Sequence, residues 1–200
     1  MNGEPQIVED DHAIACHEAG HLIAARFRGR GIDKVSLDRI DGKRGCFQKP
    51  APDEWTDFDE MLICLAGPRA QVALRPDTLG EKLAAFESRI IQPQDEPRRI
   101  PQIYGYTGWQ HDVGTVYQLM MMPRAPVDGL TRIVTRTEVL DEVERRVLAF
   151  FAVADVVSAG NRIAEWLLEA RRVNGSDAES FVASTGILDS AELQALMTWQ

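Results

Sequence analysis

Cysteine is scarce in this 200-residue sequence: Cys16, Cys46 and Cys64 show no paired spacing, which excludes a disulfide framework and reads as reduced, buried thiols. Basic residues are outnumbered, 22 Lys and Arg against 31 Asp and Glu, for a formal net charge of -9. A surface that follows phosphates needs clustered cations to displace counterions, so nucleic acid is not an expected partner. Long apolar runs are missing as well. The most apolar stretch, residues 148–157, is interrupted by Asp155 and soon followed by Asn161 and Arg162. That is far short of the roughly 20 apolar residues a membrane-spanning helix requires. The opening MNGEPQIVEDDH is polar and acidic where a secretory signal would be basic and then apolar, so the expected location is cytoplasmic. Repeats, low-complexity tracts and Pro/Ser linkers are absent. What remains is an ordinary globular balance, 44% hydrophobic and 26% charged, with enough apolar material for a real core.

Local patterns predict a mainly helical chain with a small sheet. Asp10 or Asp11 can cap a helix through IACHEAGHLIAARFR, with Ile14, Leu22, Ile23 and Phe27 apolar and a stop at Gly29 or Gly31. KVSLDRI has the alternation of a strand, and a glycine-containing turn over residues 41–45 can return it as a second one. FDEMLICLAGPRAQVAL is helical by spacing, but Pro68 lacks an amide and disfavours helical geometry at Gly67, so a kink or restart is expected there. Residues 75–110 mix short helical scraps with Pro93, Pro97, Pro101, Gly105 and Gly108 and read as an elaborated loop. HDVGTVYQLMMM reads as a further helix, and residues 130–151 and 153–172 as an antiparallel helical pair. Capping-box spacing at Ser176 and Glu179, and at Asp189 and Glu192, predicts two short helices at the end. The simplest organisation is one domain over 1–200, with the sheet in residues 8–122 and helices in residues 128–200.

The chemistry is concentrated in HEAGH. His17 and His21 lie four apart on the first predicted helix, so both imidazoles project from one face and can reach a single zinc ion. Glu18 follows His17, rotated towards the side where such an ion keeps an open position, within reach of the proton of a bound water. That combination is the outline of peptide-bond hydrolysis. Ala19 and Gly20 leave room for a neighbouring element or a substrate.

Catalytic zinc usually has three protein ligands. His12, five residues before His17, is off the ligand face and is expected to be a solvated helix-start residue. His111 and Asp112 are better placed, and residue type alone does not choose between them. Other features have ordinary readings. Met120, Met121 and Met122 fill core gaps, and Cys16 packs. Trp55, Trp109 and Trp166 are core or interface residues, with Trp109 near enough to Asp112 to line a cleft. Arg145, Arg146, Arg171 and Arg172 read as solvated helix faces.

Three ordered stretches, AIACHEAGHLIAARF, MLICLAGPRAQVAL and GWQHDVGTVYQLM, together with NRIAEWLLEARRVNGSDAESF, resemble the peptidase domain of the FtsH family of ATP-dependent zinc proteases. The likeness spans most of residues 8 to 183 and implies a helical zinc-peptidase fold. It implies zinc as cofactor, His17, His21 and Asp112 as ligands, Glu18 as catalytic base and a polypeptide substrate, with His111 as a neighbour of the site. The strand around KVSLDRI resembles the family's sheet beside the cleft, where an extended chain can pair through its backbone. The sequence departs from the family in having no GxxxxGK[ST] loop, so it is expected to hydrolyse unfolded or flexible chains without ATP. Pro68 and Gln71 replace charged residues that follow LAG in the family. The alternative reading is a non-catalytic or partner-dependent zinc protein that keeps the fold and binds peptides, an ATPase in trans or a second copy of itself. The intact Glu18 counts against it.

Overall fold

The computed structural model describes residues 10–38, 46–48, 56–75, 109–121 and 136–198. The expected turn at 41–45, nearly all of the 75–110 loop, Trp55, Met122 and the side chains of Met120 and Met121 lie outside the described residues. The described part is mainly helical with one small antiparallel sheet, as the hydrophobic spacing predicts.

Helix α1, Asp11–Phe27, starts where Asp10 accepts a hydrogen bond from the Ala13 amide at 2.6 Å. It stops where Gly29 takes a left-handed φ of 64°, which brings the Arg30 amide back to the Ala25 carbonyl at 2.8 Å. Nearly all of α1 is buried, so it is the central element.

Helix α2, Asp57–Leu74, begins with a reciprocal capping box between Thr56 and Asp59. It runs as one helix through Pro68, so the restart that was one of the expected outcomes does not occur. Pro68 withholds the amide that the Cys64 carbonyl would take, a loss on the order of 3 kcal/mol. Close packing on α1, where Ala66 and Ala70 meet Gly20, outweighs it.

The two helices run antiparallel and are tied at both ends. Arg75 reaches Asp10 at 3.0 Å at one end, and Arg28 and Arg30 reach Asp59 at the other. Between the ties the backbones nearly touch at Gly20, where an added Cβ would collide with the Ala66 carbonyl and lie 2.5 Å from the Ala70 Cβ. The small residues of HEAGH therefore admit a neighbouring helix.

Helix α3, Trp109–Met121, packs on α2. Helices α4, Arg136–Phe151, and α5, Ala154–Ala170, are not the expected antiparallel pair: the chain bends by 80° between them. Val153 is extended there, so α4 lies on α2 while α5 lies on α1. Among the described residues no single helix is long and apolar enough to cross a membrane.

The sheet has the order β2-β1-β3, with β1 Lys34–Ser36, β2 Cys46–Gln48 and β3 Arg172–Asn174. Val35 faces Phe47 on one side and Val173 on the other. The first two strands are as expected. The third corrects the reading of helix to residue 172 and shows that the sheet also draws on the C-terminal part of the chain. At its junction Arg171 has a φ of 57° and bridges Asp11 at 2.9 Å and Asp38 at 2.8 Å, while Arg172 adds a 2.7 Å bond to Asp38.

Helix α6, Gly175–Ser184, is capped by Asn174, whose side chain accepts from the Asp177 amide, and not by Ser176; Glu179 is turned to the Ile32 amide and to Arg26. A 3-10 turn, Ile187–Asp189, leads to α7, Ala191–Met197, capped by Ser190 in place of the expected Asp189. Trp166 stacks on Phe181 at 4.3 Å between α5 and α6. Arg146 corrects the expectation of a solvated face. It is only 8% exposed, and its guanidinium donates to the carbonyls of Ala195, Leu196 and Thr198. Arg28 takes the Met197 carbonyl at 2.8 Å, so two arginines satisfy the open end of α7.

Candidate metal centre

The i, i+4 spacing does what helical geometry requires: His17 and His21 sit one turn apart on α1 with rings 4.7 Å apart, centroid to centroid. Both are buried, at 6% and 5% exposure. Asp112, in the first turn of α3, completes the group. Its Oδ2 lies 2.8 Å from His17 Nε2 and 3.6 Å from His21 Nε2, and the two ring nitrogens are 3.0 Å apart. Of the two residues left open by type, position brings Asp112 into the group that could hold a metal ion. Among the described residues the metal-capable group is His17, His21 and Asp112; the half-buried His111 is not in it, and His12 is exposed at the start of α1 as expected.

The tautomer of His21 follows from its other contact. Its Nδ1 lies 2.8 Å from the Ile63 carbonyl of α2, which can only accept, so Nδ1 carries the proton. In the neutral ring, Nε2 then presents a lone pair to the site. A carboxylate oxygen and the second imidazole converge on the same point. Burial pushes the Asp112 carboxyl up, but the charge and hydrogen bonds of His21 and His17 outweigh it and hold the group far below the usual carboxylate range.

Two features test whether a cation fits. A tetrahedral ion bound at about 2.0–2.1 Å needs ligand atoms about 3.3 Å apart. The observed separations of 2.8, 3.0 and 3.6 Å bracket that value. The second feature is Gly67, in α2 opposite the two rings. A Cβ there would lie 2.5 Å from His21 Nε2 and 2.8 Å from His17 Nε2, in the space the two nitrogens face. Glycine keeps that space open. The group could therefore hold a metal ion with two imidazoles and one carboxylate, a donor set suited to several divalent transition metals.

Glu18 is next to His17 on α1 and is itself buried, at 5% exposure. Cys16, on the other side of His17, is fully buried, and burial pushes its thiol up to about 11, in keeping with a packing role. Trp109 is buried at the start of α3, three residues before Asp112. The Phe47 ring of β2 leans on His21 at 5.6 Å between centroids. Sequence reasoning did not single out Ile63, Gly67 or Phe47. Gly67 was the most accessible of them, because its Ala66-Gly67 pair has the same small-residue signature as Ala19-Gly20.

No protein-family model matches this chain and no curated protein matches it at a significant level, so the reading of the site rests on its geometry and chemistry.

Proposed function

We propose that the protein is a zinc-dependent endopeptidase that hydrolyses unfolded or flexible polypeptides, with the helical zinc-peptidase fold that its resemblance to the FtsH peptidase domain implies. The observation that carries the reading is the convergence of His17, His21 and Asp112 from two helices beside the buried Glu18. A structural zinc site is closed by four protein ligands, whereas three ligands and an adjacent carboxylate suit a hydrolytic one. Zinc, when bound, supplies a Lewis acid for the scissile carbonyl and brings a water pKa to about 7.

The chain's own groups take the remaining tasks. The Ile63 carbonyl holds His21 in the tautomer whose Nε2 can ligate. Asp112 contributes a carboxylate oxygen beside the two imidazole nitrogens, and Gly67 keeps the space they face clear. The Glu18 carboxylate takes a proton from the attacking water and returns it to the leaving amine nitrogen. The substrates on this reading are chains that already present an extended segment. An ATPase acting in trans, or self-association, would widen that range.

The test is cleavage of a permanently unfolded protein such as casein. Wild type is expected to cut it, to stop when a chelator removes the metal, to resume when zinc is returned, and to be inactive as Asp112→Ala. Zinc-loaded wild type that leaves every unfolded substrate intact would sink the peptidase reading and favour a metal-binding protein without catalysis.

A further inference from the structure

The ring that touches the candidate metal centre from the sheet has no part in the chemistry just described. Phe47 occupies the middle of β2 and pairs with Val35. Directly paired residues project to the same sheet face. Val35 is fully buried, so that face is the one turned to the core. The Phe47 ring packs against the core and meets His21 at 5.6 Å with an interplanar angle of 37°. Yet Phe47 is only half-buried, whereas Val35 and Leu37 of the same sheet region are wholly covered. Its strand is at the edge of the sheet, so the ring keeps part of its surface exposed beside His21.

Two of the described elements present no apolar side chain at the positions that meet the two rings. Helix α2 presents Gly67, which has no side chain, and α3 presents the Asp112 carboxylate. A carbonyl that shares an ion with His21 brings its flanking side chains to within several ångströms of whatever leans on that imidazole. Phe47 is held there by a strand and not by a loop tip, so its position is preorganised.

We infer that Phe47 is a specificity-determining residue: its half-buried ring is an apolar wall beside His21 on which the side chain flanking the scissile carbonyl packs. The protein accordingly prefers apolar side chains at that position over small or charged ones. This inference rests on the peptidase reading for its meaning, but its test does not require turnover.

Two hydroxamates separate metal binding from side-chain binding. Acetohydroxamic acid offers the chelating group alone; an N-blocked leucine hydroxamate offers the same group with an apolar side chain. Calorimetric titration of the zinc-loaded protein is expected to show the leucine compound bound about tenfold more tightly. Phe47→Ala, and Phe47→Gln as a second variant of different size, are expected to remove most of that preference while leaving acetohydroxamic acid within about twofold, and Phe47→Leu to retain it. If both compounds weaken together, or zinc is lost from the variants, Phe47 only supports the ligand and the inference is overturned. A preference that survives in Phe47→Ala and Phe47→Gln overturns it equally. Zinc content and casein cleavage measured on the same preparations keep the two readings apart. Wild type with zinc but without turnover sinks the peptidase reading while the hydroxamate comparison still decides this one; wild type without zinc sinks both.

Discussion

The His21 imidazole is held from three directions, by its own helix, by the Ile63 carbonyl at Nδ1 and by the Phe47 ring, so its Nε2 is aimed before any ligand arrives. The space it is aimed at exists because residue 67 has no side chain. Gly67→Ala is therefore expected to keep a folded protein, since alanine favours a helix by about 1 kcal/mol over glycine, but to lose the metal. Elemental analysis should fall from about one ion per chain to under roughly a tenth; full occupancy in Gly67→Ala would show that the ion sits elsewhere. At this scale the sequence was legible where chemistry is local. His17, Glu18 and His21 are readable because three residues within one helical turn define their own geometry. Asp112 is 91 positions from His21, and its side-chain type competed with that of His111, so only resemblance singled it out before its position was seen. Gly67 was missed for a different reason: a residue that works by being absent leaves no chemical signature.

Among the elements, the α1/α2 pair decides whether the site forms, because α1 brings the imidazoles and α2 brings Ile63 and Gly67. Its latch at the far end is Asp59, fully buried, with Arg28 at 2.6 Å, Arg30 beside it and Thr56 at 2.8 Å. Burial raises the Asp59 carboxyl, but hydrogen bonds from Arg28, Thr56 and Arg30 win and hold it below its ordinary value. A carboxyl lowered on folding contributes stability above its unfolded pKa, near about 3.9, and loses it as pH falls through the folded pKa. Denaturant melts of wild type should thus weaken below about pH 4. Asp59→Asn should be less stable at neutral pH by roughly 3–5 kcal/mol and should lose part of that acid dependence. An unchanged pH profile in Asp59→Asn would remove Asp59 from the account. The second arginine clamp predicts a more local effect. Arg146→Ala leaves the last carbonyls of α7 without their donor and should cost about 2 kcal/mol, with amide-exchange protection lost over residues 191–198 and zinc content unchanged. The elements themselves were readable in proportion to their length. Helix α1 could be placed from Asp10 to Gly29 because a cap, a periodic face and a glycine agree. Strand β3 has three residues, too few to show a period, and the preceding helix was read into its first one. The continuity of α2 through Pro68 could not be read, since tertiary packing outweighs a local penalty that sequence displays alone.

For the whole molecule, the class of fold was legible and the arrangement was not. Composition and spacing predicted helices with a small sheet, and the described residues have them. The 80° bend between α4 and α5, which lets each pack on a different member of the central pair, depends on which apolar faces meet, and Val153 carries no sequence mark of it. Arg146 likewise looked like a solvated charge: its pairing with Glu142 four residues before is what an exposed helix face shows, and its other partners are backbone carbonyls some 50 residues away, which no pattern of side chains announces. The architecture nevertheless converges on one place: helices from separate parts of the chain, and the sheet through Phe47, surround the space between His17, His21 and Asp112. The proposed peptidase needs a metal in this space and Glu18 to use it for hydrolysis. The most direct test is to measure metal content and casein cleavage on the same samples of wild type and Glu18→Gln. Both proteins should carry about one zinc per chain, and turnover should be lower by about a hundredfold or more in Glu18→Gln. Equal turnover in the two proteins, or wild type without zinc, would contradict the proposal.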